Sequence, residues 1–349
     1  MANNTLYLWI KKVIYLLFIF LIFPLCILYV AVSRPTSVHS QASNAKVDAQ
    51  RMRKNVSNIS RKHYPRNYRF PGNLKDIADY IADHFAKAGG QVYIQEFETR
   101  GETYRNVIAV FGIQKDEKVS VNKEDYEENL AAGHLKPHIV VGAHYDASGD
   151  SPGADDNASG VAGLIELGYL LGQEELSGQV ELVAYCLEEP PFFRTPDMGS
   201  YHHAALLKEH GVDLEIMICL EMIGYFTDEE NSQSYPAPFM KLYYPSKGNF
   251  IALVGKLSQG GITKKIKGLM TGSTELPVYS LNAPSFMQGV DYSDHSNYWH
   301  FGYQAVMVTD TAFYRNLQYH TYKDRADRLD YQRASMVVVQ VYEAVKGLL

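Results

Sequence analysis

The stretch from Val141 to Gly160 reads VGAHYDASGDSPGADDNASG, and it sets one histidine and a group of aspartates on loops among Gly and Ser directly after an apolar run. His138 enters the run Ile139 to Val141, whereas His144 stands just past it, where a buried strand would end. The position matters because open α/β sheets bind ligands in the crevice outside the carboxyl ends of their strands. Other residues able to hold a metal fall at other such ends. Glu188 and Glu189 follow the apolar run Leu182 to Leu187, and Glu221 follows Ile216 to Leu220. His320 comes after Ala305 to Val308, in the segment Gln318-Tyr319-His320-Thr321.

Around these ends the chain alternates between two periodicities. From Ala158 to Leu171, Val161, Leu164, Ile165, Leu167 and Leu171 recur at helical intervals, so GADDNASG opens a helix. Leu74 to Lys87 carries Ile77, Tyr80, Ile81 and Phe85 on one helical face and is stopped by Gly89 and Gly90. Val92 to Phe97 and Asn106 to Phe111 read as strands, and the charged stretch Lys115 to Asn129 as a solvated surface loop. Tyr201 to His210 and Met336 to Leu348 supply further helices. The alternation predicts an α/β fold, a mainly parallel central sheet with helices on both faces, and no internal repeat is visible.

Composition bounds what such a fold can do. A chain of 349 residues with 46% hydrophobic content can bury a substantial core in one or two domains. A net charge of −6 and a pI near 6.1 argue against nucleic acid as a partner, which calls for a basic patch. The three cysteines lack metal-knuckle spacing, so any zinc must be held by His and carboxylate. Cys186 and Cys219 read as buried free thiols, with a disulfide left open because sequence does not set the Cβ separation.

Residues Val13 to Val32 form an uncharged run of twenty, VIYLLFIFLIFPLCILYVAV, long enough to cross a hydrocarbon core of ~30 Å. The apolar region of a signal peptide, the rival reading, is usually only ~7–15 residues long. Lys11 and Lys12 precede the run and only Arg34 follows closely, so the positive-inside rule keeps residues 1–12 cytoplasmic and turns the body outward, to a periplasmic or extracellular side. Residues 33–46 then read as a polar linker lifting the body from the membrane, and 47–349 as one catalytic domain.

Alone, His-x-Asp is an ordinary surface turn and Glu188-Glu189 a solvated pair. Their joint occurrence past apolar runs points to a site, because carboxylates beside a core need partners or metal. Mixed His and carboxylate ligands suit Zn²⁺, and two metals ~3.5–4 Å apart need a bridging carboxylate, for which one of Asp155 and Asp156 is the natural source.

The set GAHYD, PGADDNASG, LEEPPFF, LEMIGY and YHTYKD, in this order, resembles the co-catalytic zinc aminopeptidase family, the twenty-eighth metallopeptidase family, whose relatives include bacterial leucyl aminopeptidase, glutamate carboxypeptidase and glutaminyl cyclase. The resemblance spans roughly Val47 to Leu349. By motif it implies that His144 and Glu221 hold one zinc, that Glu189 and His320 hold a second, and that Asp156 bridges the two, with Asp155 a loop neighbour. It further implies that Asp146 orients His144 or its metal and that Glu188 is the general base. Two departures are visible. Many members carry aspartate where this chain has Glu221, and Pro190-Pro191-Phe192-Phe193 would stiffen a loop beside the substrate pocket. The resemblance also brings Asp294 and His295 near the site, and in some relatives a tyrosine placed like Tyr319 donates to the transition-state oxyanion. His202, His203 and His210 read as surface or packing residues.

The implied activity is hydrolysis of peptides at a free N-terminus by a water activated between two zinc ions per chain, with Glu188 passing its proton to the leaving amine. Two other readings stand beside it: a one-zinc glutaminyl-cyclase-like aminoacyl transferase, and a non-catalytic receptor or scaffold ectodomain. The preferred N-terminal residue, the peptide length and the oligomeric state are left open.

Overall fold

The computed structural model describes residues 2–37, 40–113 and 125–349. It opens with α1, Ala2–Leu17, which passes through a widened turn at Phe18–Ile22 into α2, Phe23–Ser33. Helices α3, Ala49–Ser57, and α4, Pro71–Lys87, precede strands β1, Gln91–Thr99, and β2, Glu102–Phe111. Next come α5, Tyr126–Ala131, β3, Pro137–His144, α6, Ala158–Leu171, and β4, Gln179–Tyr185. The alternation continues through α7, Gly199–Glu209, β5, Ile216–Glu221, a 3-10 turn at Pro238–Leu242, β6, Ile251–Lys256, and α8, Gly260–Met270. It closes with β7, Val278–Ala283, α9, His295–His300, β8, Ala305–Thr309, and α10, Tyr331–Leu348.

Among the described residues the strands form one eight-stranded sheet in the order β1-β2-β4-β3-β5-β8-β6-β7. The central strands β4, β3, β5 and β8 are parallel, as the sequence pattern predicts. The flanks make the sheet mixed, because β1-β2, β2-β4 and β8-β6 pair antiparallel. The β1-β2 pairing follows from its turn: Arg100 and Gly101, at φ 52° and 80°, form a two-residue connection with both centres left-handed, which suits a hairpin.

The central strands are buried on both faces, and their side chains alternate between two cores. Ile139 and Val141 of β3, Leu182 and Ala184 of β4, and Ile216, Ile218 and Leu220 of β5 pack with α3, α4, α6, α8 and α10. Val140, Val183, Tyr185, Met217 and Cys219 pack on the opposite face with Ala204 and Leu207 of α7 and Tyr298 and Trp299 of α9. Burial on both sides is why these strands read as continuous apolar runs. Cys186 and Cys219 fall in different cores and both thiols are free, which closes the disulfide question.

The structure departs from the sequence reading in a few places. Of the charged stretch expected to be a loop, residues 115–124 lie outside the described residues, while Tyr126 and Leu130, one helical turn apart, bury themselves and fold α5. Strands β6 and β7 and helices α8 and α9 are not separated by the sequence reading. Leu6–Ser33 is long and apolar enough to cross a membrane, a property shared by signal sequences near an N-terminus. The segment after it is not a free spacer. The Ser33 carbonyl accepts from Lys267 Nζ at 3.0 Å and Ser280 Oγ at 2.7 Å, and Arg34 donates to the Leu257 carbonyl at 3.0 Å. The amides of Ser40 and Ser43 donate to the carbonyls of Thr271 and Ser273. Ser33, Arg34, Ser40 and Ser43 are thus bonded to α8, to β7 and to the turns on either side of α8.

One ion pair fastens α3 to the central helix. Glu166 sits on otherwise apolar α6 with its side chain 0% exposed, and Arg51 binds it through Nε and an Nη, each at 2.7 Å. Removing one partner strands a buried charge, which costs more than the pair itself contributes. Arg51→Ala is expected to destabilise the protein by about 2–3 kcal/mol, with the double variant R51M/E166L recovering most of it. Urea unfolding followed by circular dichroism measures both, and an unchanged midpoint for R51A would contradict this account.

Candidate metal centre

Three neighbouring parallel strands deliver the site. His144 is the last residue of β3, Glu221 is the last of β5, and Glu188 and Glu189 follow the end of β4, so all four stand at the carboxyl edge of adjacent strands. The loop after β3 crosses this edge to open α6 and brings Asp155 and Asp156 with it. The long loop after β8 returns over the crevice with Asn316, His320 and Asp324. Leu187, Met222 and His320 have φ of 64°, 51° and 58°, left-handed conformations that cost a non-glycine residue roughly 1–3 kcal/mol each. Each is one of the site residues or the immediate neighbour of one, so surrounding contacts hold the backbone where the side chains need it.

The side chains converge as two overlapping triads. His144 Nε2 lies 3.4 Å from Asp156 Oδ1 and 3.4 Å from Glu221 Oε2. His320 Nε2 lies 3.1 Å from Asp156 Oδ2 and 3.2 Å from Glu189 Oε2. The two oxygens of Asp156 therefore face different histidines. A tetrahedral zinc with bonds of ~2.0–2.1 Å separates its ligand atoms by ~3.4 Å, close to the 3.1–3.4 Å histidine–carboxylate distances of the two triads. Nε2 of His144 and Oε1 of Glu189 are buried without a hydrogen-bond partner, another sign that these atoms suit a cation. Glu188 Oε2 stands 3.9 Å from His144 Nε2, and His144, Glu188 and Glu189 make a third possible grouping.

Buried groups around the triads hold them in place. Asp146 Oδ1 lies 3.3 Å from His144 Nδ1, and its two oxygens accept from the amides of Glu188 and Glu189 at 3.1 Å each. One carboxylate thus ties the histidine of β3 to the glutamate pair after β4. Asp324 does the same for the aspartate loop, accepting from the amides of Asp155 and Asp156 at 2.9 and 3.0 Å. The buried Arg66 guanidinium donates to the carbonyls of Tyr145, Pro152, Gly153 and Asp156. Gly153 is needed in that loop, since its φ is 58° and a Cβ would meet the Asp156 carbonyl at 2.1 Å. Asn157 caps α6 through Gly160 N, donates to the Leu220 carbonyl and accepts from Met222 N, joining the loop to the end of β5. Asp155 accepts from Gly224 N and Asn316 Nδ2 and so braces the loop from behind. Ser293 donates to Glu221 Oε2 at 2.7 Å.

The electrostatics match the geometry. Burial, reinforced by neighbouring carboxylates, pushes Glu188 well above the usual carboxylate range and Glu189 up to about 7. Burial alone would depress His320, but Asp156 and Glu189 overcome it and raise the imidazole to about 10. The cluster is a concentration of negative charge that demands positive charge.

All seven residues singled out from sequence, His144, Asp146, Asp156, Glu188, Glu189, Glu221 and His320, are brought together. Asp294 and His295 are buried beside them, Asp294 raised to about 7 and His295 lowered to about 4, both chiefly by burial. His203 is a packing residue of a particular kind, buried between the Tyr126 and Tyr298 hydroxyls and 3.4 Å from Glu181. Arg66 and Asn316 were not anticipated, Asn157 and Asp324 were visible only as letters of PGADDNASG and YHTYKD, and Ser293 only as the neighbour of Asp294. Next to the triads an apolar recess of about 780 Å³, counted to its open mouth, runs from Glu221 and Tyr319 past Met240, Phe250, Leu281 and Phe313.

Comparison with known proteins gives a consistent picture. Residues 129–345 match the family model described as Peptidase family M28. The chain is 40% identical over 339 residues to YfbL of Escherichia coli (strain K12), covering 94% of this chain and 96% of that protein. It is 26% identical over 229 residues to leucine aminopeptidase 1 of Ajellomyces capsulatus (strain H88), covering 60% of this chain and about half, 54%, of that longer protein. The structure of BSAP, a zinc aminopeptidase from Bacillus subtilis, superposes with a TM-score of 0.64 at 13% identity, over 87% of this chain and 96% of that one.

The Asp324 carboxylate offers a test of how the aspartate loop is held. Asp324→Ala leaves two buried amides without acceptors and is expected to cost about 2–3 kcal/mol and to weaken zinc binding ~10–100-fold. Chelator-competition titration alongside thermal unfolding would reveal it; wild-type zinc affinity in a folded variant would refute the support.

Proposed function

The chain belongs to peptidase family M28, and on that premise we propose that it is a membrane-anchored, zinc-dependent aminopeptidase that uses two metals. The observation that carries this reading is the division of Asp156 between two histidines, each completed by a glutamate at ligand spacing. In this reading His144 and Glu221 would hold one zinc and Glu189 and His320 the other, with Asp156 shared between them. Zinc at such a centre supplies a Lewis acid that lowers the pKa of water toward ~7 and polarises a carbonyl oxygen.

The remaining work falls to the chain. Glu188, whose burial among Glu189, Glu221 and Asp294 raises its proton affinity, takes a proton from the attacking water and hands it to the leaving amine. Asp146 keeps His144 and the glutamate pair in register, so Glu188 does not drift from the reacting carbonyl. Tyr319, stacked on His320 with ring centroids 3.7 Å apart and lining the recess, would donate its phenol to the developing oxyanion. A free N-terminal ammonium suits the negative cluster, and the first side chain would enter the recess, whose walls favour large apolar residues. Leu6–Ser33 would anchor the body on the outer side of the membrane.

Three measurements on the full chain test this reading. Glu188→Gln should retain zinc while turnover falls ~10²–10⁴-fold, and substantial residual activity would remove Glu188 as the base. Asp156→Ala should lose at least one equivalent of zinc by elemental analysis; full occupancy would exclude a bridge. Peptides beginning with Leu, Phe or Tyr should exceed those beginning with Gly or Asp by ~10–100-fold in kcat/KM, and N-acetylated peptides should not be cleaved. One zinc with cyclisation of N-terminal glutamine would instead make the protein a transferase.

A further inference from the structure

The end of the apolar helix and the wall of the recess meet. The uncharged run Val13 to Val32 spans ~30 Å as a helix, and its last turn is already in contact with the body. Tyr29 packs on Tyr243 with ring centroids 5.1 Å apart, and Ser33 is hydrogen-bonded to Lys267 and Ser280. Tyr29 lies four residues before Ser33, ~6 Å along the axis at a rise of 1.5 Å per residue. No spacer separates the hydrocarbon from the body, so whatever touches Tyr29 must stand at the depth of the headgroups.

What touches Tyr29 is Tyr243, the residue directly after the 3-10 turn Pro238–Leu242. Its inward residue, Met240, is buried and lines the recess. Its outward residues are Phe239, 47% exposed, and Leu242, 79% exposed, with Lys241 exposed between them. Leu257, 40% exposed, belongs to the same rim, since its carbonyl accepts from Arg34 just past the helix. Apolar and aromatic side chains interspersed with lysine and arginine, beside a pair of tyrosines, form the composition of a membrane–water interface.

We propose that this rim is a second membrane contact: Phe239 and Leu242 insert into the headgroup layer of the bilayer that α2 leaves, holding the body at one fixed tilt. The inference rests on the anchoring helix proposed above. It has a consequence for the active site, because Tyr244 and Ser280 line the recess and bond each other, Tyr244 Oη donating to the Ser280 carbonyl at 2.7 Å. The wall that shapes the recess is therefore also the wall that meets the lipid.

The test uses the full chain carrying Cys26→Ser, in which Cys186 and Cys219 remain buried. An environment-sensitive fluorophore is attached at Leu242→Cys or, as control, at Glu98→Cys, exposed on edge strand β1, which lies seven strand spacings or roughly 34 Å across the sheet from β7. Both proteins are reconstituted into vesicles of phosphatidylcholine and phosphatidylglycerol. The expected result is co-flotation of both, with emission at 242 shifted to shorter wavelength and quenched by nitroxide-labelled lipid, and emission at 98 unshifted and quenched by aqueous iodide. Co-flotation with a label at 242 as aqueous as that at 98 overturns the rim contact and leaves the anchor standing. Failure to float with the vesicles overturns the anchor and the rim together.

Discussion

A carboxylate whose two oxygens face two different histidines is the constraint around which this structure is arranged. Asp156 meets both His144 and His320 because the loop after β3 crosses the carboxyl edge of the sheet and the loop after β8 returns over it. Both loops make local turns, two of them 3-10 in the loop after β8, but neither belongs to the sheet, and the aspartate loop is held by side chains brought from elsewhere. Asp324 binds the amides of the aspartate loop, Arg66 binds its carbonyls, and Asn157 joins it to the end of β5. The centre concentrates carboxylates in a buried space, and the fold tolerates that only with compensating positive charge.

How much of this could be read from the sequence depended on whether a residue's task is local. His144, Glu188, Glu189 and Glu221 were legible because strands buried on both faces produce uninterrupted apolar runs, and the first polar residue past each run marks the strand end. His320 lies eleven residues beyond the end of β8 and was reached only through its motif. Asp324 and Arg66 bind backbone groups distant in sequence, and nothing in their neighbourhood announces that. The misreadings have the same origin. Charged composition concealed α5, whose Tyr126 and Leu130 meet the sheet only in three dimensions, and the serine-rich stretch after the apolar helix resembled a tether because its bonds to α8 and the turn after it are tertiary.

That serine-rich stretch changes how the N-terminal helix should be regarded. Were it a flexible spacer, the body could face the bilayer in any orientation and the anchor would act only to raise local concentration. With Ser33, Arg34, Ser40 and Ser43 bonded to the body, the helix becomes part of the architecture at the β7 edge. The Lys267 ammonium bonding the Ser33 carbonyl also caps the helix C-terminus, where the macrodipole favours a cation.

The two ends of the apolar recess then stand in different settings. One end meets Glu221 and Tyr319 beside the triads, while Tyr244, next to Tyr243, and Ser280, bonded to Ser33, form a wall against the helix that would span the membrane. Peptides with a large apolar first residue partition toward bilayer surfaces for the same reason they would enter such a recess, namely removal of apolar area from water. A body held at fixed tilt would keep the recess close to where those peptides concentrate. Selectivity for the first side chain and proximity to the membrane would in that case be two outcomes of one packing arrangement, the docking of the helix end against β7 and the 3-10 turn.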